Sequence, residues 1–179
     1  MGSRLPNNCA HDLFLKINFF DKVICVPPEL DKIDIKILRT LQEDASLSAA
    51  EVAEAVGLSQ SPCWRRIQRL KEDGYIARTV AILNRDKLDL RAQFFVQIKV
   101  VQNDQANLTE FAKAIRNFPE VIECHVILGA FDFLLRVITQ DLQSFQRFYF
   151  EKLSRVPGIR EVNSYAAVTE IKATTALPI

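Results

Sequence analysis

The chain has 179 residues, 49% of them apolar and 25% charged, with a mean hydropathy of +0.03, which excludes a disordered or collagen-like chain and allows one or two small cores. Lys and Arg total 23 against 22 Asp and Glu, so the formal charge is +1 and the average carries no signature of a nucleic-acid binder, a membrane-surface protein or an acidic tail. Cys9, Cys25, Cys63 and Cys124 contain no C-x-x-C pair, which points to reduced thiols and neither a zinc ribbon nor a disulfide framework.

Residues 1–29 read as an N-terminal arm or extension, with Pro27 and Pro28 just before the first helix signal. The apolar run Leu13, Phe14, Leu15, Ile17, Phe19 and Phe20 is broken early by Lys16, Asn18 and Asp21 and is too short for a signal peptide or a membrane span. A cytoplasmic protein is expected. From Asp31 onward, Ile33, Ile37, Leu38 and Leu41 recur at helical spacing, with Asp31 and Asp34 where the helix dipole favours acids; this first helix ends near Asp44. Ser48 and Glu51 form a capping box for a second helix that carries Val52, Ala53 and Val56 and stops at Gly57. Ser59 caps a third helix, with Pro62 in its first turn, running to Gly74.

Tyr75 to Leu83 alternates weakly, as short strands or a linker, and residues 84–91 form the hinge between a first domain over 30–83 and a second over 92–179. Phe94, Val96, Ile98 and Val100 alternate with polar neighbours as a half-buried strand, and Leu108, Phe111, Ala112 and Ile115 follow on a helix. Val121 to Leu128 and Phe131 to Ile138 are strands joined across Gly129 and Ala130. Asp141 caps a helix carrying Leu142, Phe145, Tyr149 and Leu153, and Ile159 to Glu170 is a last strand. A 38-residue internal repeat sets Phe111 on Tyr149, Ile115 on Leu153 and Val121 on Ile159. The order is therefore βαββαβ, an α+β arrangement of helices on one face of an antiparallel sheet. Phe95, Ile122 and Phe133 offer apolar groups for dimerisation over the other face.

The first domain is neutral, with eight basic and eight acidic residues over 30–83, yet Arg65, Arg66, Arg69, Lys71 and Arg78 concentrate on and after the third helix. At about 100° per residue, Cys63, Ile67 and Leu70 share one side of that helix while Ser61, Trp64, Arg65, Gln68 and Arg69 share the other. A face bearing a hydroxyl, an indole, an amide and two arginines suits a major-groove helix, because Gln and Arg read base edges bidentately. Cys63, on the inward side, reads as core packing. His125 follows Cys124 on a strand, so the two point to opposite faces and cannot form a catalytic pair. No Walker loop, nucleophile elbow or metal spacing occurs, so neither an enzyme nor a cofactor or metal site is expected.

The run LDKIDIKILRTLQEDASLSAAEVAEAVGLSQSPCWRRIQRLKEDGYI from Leu30, the hairpin LGAFDFLLRV and the tail EIKATTALPI strongly resemble the leucine-responsive regulatory protein / asparagine C (Lrp/AsnC) family over residues 30–179. The resemblance implies a three-helix, winged-helix-like helix-turn-helix DNA-binding domain followed by a ferredoxin-like effector domain that forms dimers and, in many members, octamers. It implies a transcriptional regulator that binds double-stranded DNA and responds to a small amino acid, with DNA contacts mapping onto Ser59, Gln60, Ser61, Trp64, Arg65 and Arg69. It places the effector at the hairpin turn, where the usual Gly-Asp-Tyr/Phe-Asp is here Gly129, Ala130, Phe131 and Asp132, the first acid being absent. By the same resemblance Thr169 and Glu170 line that pocket, and some relatives with a similar Thr-Thr-x-Leu-Pro tail respond to sulfur amino acids. The turn also has a purely structural reading, with Gly129 serving the bend and Asp132 pairing with a neighbouring Arg or Lys of a partner subunit. The competing reading of function is an amino-acid sensor whose helical domain binds a protein instead of DNA.

Overall fold

The computed structural model describes residues 29–101 and 105–179, the side chains of 105–108 excepted. The arm read over residues 1–29, with Cys9, His11 and Cys25, lies outside them except for Glu29. The described chain divides into two compact units, residues 29–82 with Ile171–Ile179, and Leu83–Glu170.

In the helical unit, α1 spans Lys32–Glu43, α2 Ala49–Val56 and α3 Gln60–Glu72. The start of α1 is a capping box in which the Asp31 carboxylate accepts from Ile33 and Asp34 N–H and the Asp34 carboxylate accepts from Asp31 N–H. Ser48 and Glu51 form the expected box on α2, which ends at Gly57 with φ 76°, a left-handed position suited to glycine. Ser59 is the N-cap of α3, but its hydroxyl makes no capping bond. Ile37, Leu38, Val52, Val56, Cys63, Ile67 and Leu70 close the core between the three helices. Cys63 is fully buried and burial pushes its thiol up, in line with a packing role.

No strand forms between Tyr75 and Leu83, one of the two expectations for that stretch; residues 77–84 are exposed and unpaired by any ladder. Residues 171–179, which end the second sequence domain, lie in the same compact unit as the helices, where the Leu177 main chain is bonded by Gln42 of α1.

In the second unit a short 3-10 turn at Asp86–Leu88 precedes β1 (Ala92–Val100), α4 (Gln105–Asn117), β2 (Val121–Val126), β3 (Phe133–Thr139), α5 (Leu142–Glu151) and β4 (Ile159–Ala166). The strands form an antiparallel sheet in the order β2-β3-β1-β4, the βαββαβ arrangement that the repeat predicts. Phe94, Val96, Ile98, Phe133, Leu135 and Val137 face the helices and pack on Phe111, Ile115, Phe145 and Phe148, with Phe94 and Phe145 stacked at 3.8 Å between ring centroids. Each such buried aromatic contributes about 1.5–3 kcal/mol relative to an exposed one. Asp141 caps α5 by accepting from Ser144 N–H at 2.7 Å.

Two expectations about this sheet are corrected. Phe133 lies in the core and not on the open face, since its register opposite Ile98 turns it toward the helices. The last strand ends at Ala166, which pairs with Phe94 near the start of β1; Thr169 and Glu170 lie beyond the ladder. The open face carries Phe95 beside Tyr165, and Leu134 beside His125.

Candidate DNA-reading helix and effector turn

The two-helix bend that precedes α3 is short because Gly57 ends α2 in the left-handed region and Leu58 N–H then bonds back to Ala53 at 2.9 Å. With Cys63, Ile67 and Leu70 turned inward, the opposite side of α3 is set by 3.6-residue geometry. Ser59, Gln60, Ser61, Trp64, Arg65 and Arg69 are exposed and Gln68 is half-buried, so all seven lie on the accessible part of the helix and its N-terminus.

The arginines of α3 divide by partner. Arg65 makes no ion pair among the described residues. Arg66, by contrast, meets Asp31 at 2.6 Å and Asp34 at 2.8 Å, and Arg69 meets Asp34 at 2.5 Å and Asp73 at 3.9 Å. Asp34 is 1% exposed, so a buried carboxylate accepts from two guanidinium groups and locks α1 against α3. The bond from Asp34 N–H, followed by that from Arg66, holds the Asp31 carboxyl below its usual range, and the two carboxylates in turn raise Arg66, Asp31 first. Pro62, Arg65, Arg66 and Arg69 line a shallow positive cleft along this side of the helix, a surface suited to phosphate.

At the other candidate site, Gly129 and Ala130 are exposed while Phe131 and Asp132 are half-buried. The Asp132 carboxylate accepts from Val100 N–H at 2.9 Å, Asp132 N–H donates to Ile98 at 3.0 Å, and Lys99 Nζ donates to the Ala130 carbonyl at 2.9 Å. Asp132 thus satisfies the Val100 N–H that lies just past the last β1–β3 pair, Ile98 with Phe133. Glu170 lies 3.6 Å from Arg85, which also donates to Gln93 at 2.8 Å. Asp132 therefore sits beside the end of β1, and Glu170, through Arg85, near its start. One chain does not bring the two halves of the expected pocket together.

Cys124 pairs with Leu135 and His125 with Leu134, so they face opposite sides of the sheet. Among the described residues, no group of His, Cys, Asp and Glu could hold a metal ion.

Residues 30–77 match the winged helix-turn-helix DNA-binding family and residues 93–177 the Lrp/AsnC ligand binding domain. The DNA-binding transcriptional activator DecR of Escherichia coli is 39% identical over 84% of this chain and 99% of its own. The chain belongs to the Lrp/AsnC family. Two solved structures agree: an AsnC family transcriptional regulator from Agrobacterium tumefaciens, 42% identical with a TM-score of 0.79 over 83% of this chain and 97% of its own, and a Neisseria meningitidis transcriptional regulator in complex with L-Met, 35% identical with a TM-score of 0.81 over 84% and 97%.

Within this Lrp/AsnC chain, sequence reasoning missed the Asp34 clamp. Asp34 reads there as a dipole-favoured surface acid, and only the unpaired spacing of Arg66, between the inward and outward faces of α3, signals a partner at its flank. It also missed the Asp132 bond to Val100, which depends on where β3 starts against β1.

Proposed function

We infer that this protein is a DNA-binding transcriptional regulator that responds to a small amino acid and is not an enzyme. The observation that carries the reading is the exposed side of α3, where Ser61, Arg65 and Gln68 stand clear of the acids while Asp34 holds the helix rigid from behind. Base-edge contacts fall to Arg65 and Gln68, and to the exposed Trp64 for apolar contact. Phosphate contacts fall to Ser59, whose hydroxyl makes no capping bond, to the first N–H groups of Gln60 and Ser61, and to Arg69 along the positive cleft. Dimerisation over the open sheet face around Phe95 and Tyr165 presents two such helices to major grooves ~34 Å apart. The cytoplasm is where such a regulator meets its operator; among the described residues no helix is long and apolar enough to cross a membrane.

The effector is bound between copies. Gly129, Ala130, Phe131 and Asp132 contribute from one chain, and Thr169 and Glu170, at the far end of the same sheet, contribute from a neighbour. The L-Met complex of the Neisseria relative supports an amino acid as ligand, and a larger assembly of dimers follows if the pocket spans them.

The deciding experiment is a mobility shift of genomic fragments upstream of the gene at fixed salt. Arg65→Ala weakens binding by about 1–3 kcal/mol and relaxes preference at one base position. Unchanged affinity and preference would remove Arg65 from the interface. Binding of a protein partner with no affinity for any fragment would favour the sensor reading.

A further inference from the structure

We propose that the helical unit carries a docking groove for the chain's own residues 175–179, and that this segment is a second tether through which the ligand-binding domain restrains α3; the second half rests on the DNA-reading assignment. The chain leaves the helical unit at Ile82 and returns to it at Ile171. On its return, one side-chain amide holds both polar groups of a single peptide residue. Gln42 Oε1 accepts from Leu177 N–H at 2.6 Å, and Gln42 Nε2 donates to the Leu177 carbonyl at 3.3 Å. Three residues earlier on the same face of α1, Arg39 Nε donates to Ile179 O at 2.5 Å.

Beneath the segment lies a groove of about 940 Å³ lined by Leu38, Leu41, Trp64, Ile67, Tyr75 and Ile76. Main-chain hydrogen bonds above an apolar floor are the general means by which a protein holds an extended peptide. Leu177 remains 69% exposed and Ile179 38%, so the segment is seated by its backbone with its apolar side chains at the rim. Such a strap releases and rebinds, and its covalent attachment keeps its effective concentration high.

Both ends of the tether meet in the second unit. Arg85, just after the first crossing, stands 3.6 Å from Glu170, the last residue before the second, and also bonds Gln93 at the start of β1. A change at that end of the sheet is therefore felt by both connections to the helices. The far wall of the groove is α3 itself, through Trp64, one residue before Arg65.

Trp64 is the chain's single tryptophan, so its emission reports the groove directly. The full chain is compared with Gln42→Ala and with a chain shortened after Thr174. Trp64 is 53% exposed with the segment seated, so acrylamide quenching is expected to rise modestly in both variants, with helical circular dichroism unchanged, as a local opening bares the groove-facing side of the indole. Unchanged quenching in both variants overturns the groove assignment. Full-chain protection that grows with protein concentration moves the segment to a neighbouring copy and overturns docking within one chain. Affinity for one DNA duplex at fixed salt is expected to differ by about fivefold between the full and shortened chains. Equal affinities overturn the tether. If neither chain binds any duplex, the DNA-reading assignment fails, while the quenching comparison still decides the groove.

Discussion

Arg69 Nη2 stands 2.5 Å from Asp34 Oδ2, so a residue on the outward side of α3 is also a structural partner of α1. Arg66 meets the other oxygen of the same carboxylate at 2.8 Å. α3 is thereby held by its own basic residues.

Asp34→Ala leaves both guanidinium groups without their shared acceptor. Removing one member of a buried ion cluster costs roughly 3 kcal/mol, and the partial exposure of Arg66 and Arg69 keeps the loss near the lower end of the usual range. Urea unfolding checks this. DNA affinity is expected to fall with it, although Asp34 itself is buried.

Arg65→Ala and Arg69→Ala separate reading from holding. Arg65 has no ion pair among the described residues, so its removal is expected to change stability by no more than about 0.5 kcal/mol while weakening DNA binding. Arg69→Ala lowers both, because Asp34 loses a partner. Thermal unfolding and a mobility shift on the same preparations give the two readouts.

The Asp141 carboxyl is held below its ordinary range, first by the bond from Ser144 N–H. A depressed native pKa adds stability that is fully present above the unfolded value of about 3.9 and is lost as pH falls through the native one. Asp141→Asn keeps an acceptor for the cap but cannot titrate. Its urea midpoint is expected to match that of the parent at pH 7 and to fall less steeply below about pH 4.

Gly57→Ala tests the bend between α2 and α3. A Cβ there meets nothing within 4 Å, but the residue sits at φ 76°. The expected cost is therefore conformational, about 1–2 kcal/mol. It is read from the thermal midpoint, with DNA affinity per folded molecule unchanged.

Asp132→Ala removes the acceptor for Val100 N–H. With that half-buried group left unpaired, the loss is roughly 1–2 kcal/mol. Asp132→Asn retains an acceptor and restores most of that stability, yet loses the charge that the proposed effector site would offer an ammonium. Calorimetry with methionine is expected to show weaker binding in both variants.

The local signals were enough for the elements. Ser48 with Glu51, Gly57, Asp141 and the alternation from Phe94 to Val100 each act within a few residues, through caps and side-chain periodicity, and the structure places the elements there. The 38-residue repeat predicted βαββαβ because each helix and strand must bury one face against the other. Long-range partners lay beyond that reach. Asp34 and Arg66 are 32 residues apart, Asp132 bonds a residue 32 positions before it, and Gln42 holds Leu177 from 135 positions away. Phe133 was misplaced because its side is decided by register with β1, and Thr169 and Glu170 because the strand ends where its partner does. Sequence alone determined the two domains and the exposed side of α3, since helical geometry fixes which side chains turn inward. Only tertiary structure decided which arginines of α3 pair with Asp34, where the tail rests and that Asp132 and Glu170 lie by opposite ends of β1, because these depend on which distant groups satisfy one another's charge and hydrogen bonds.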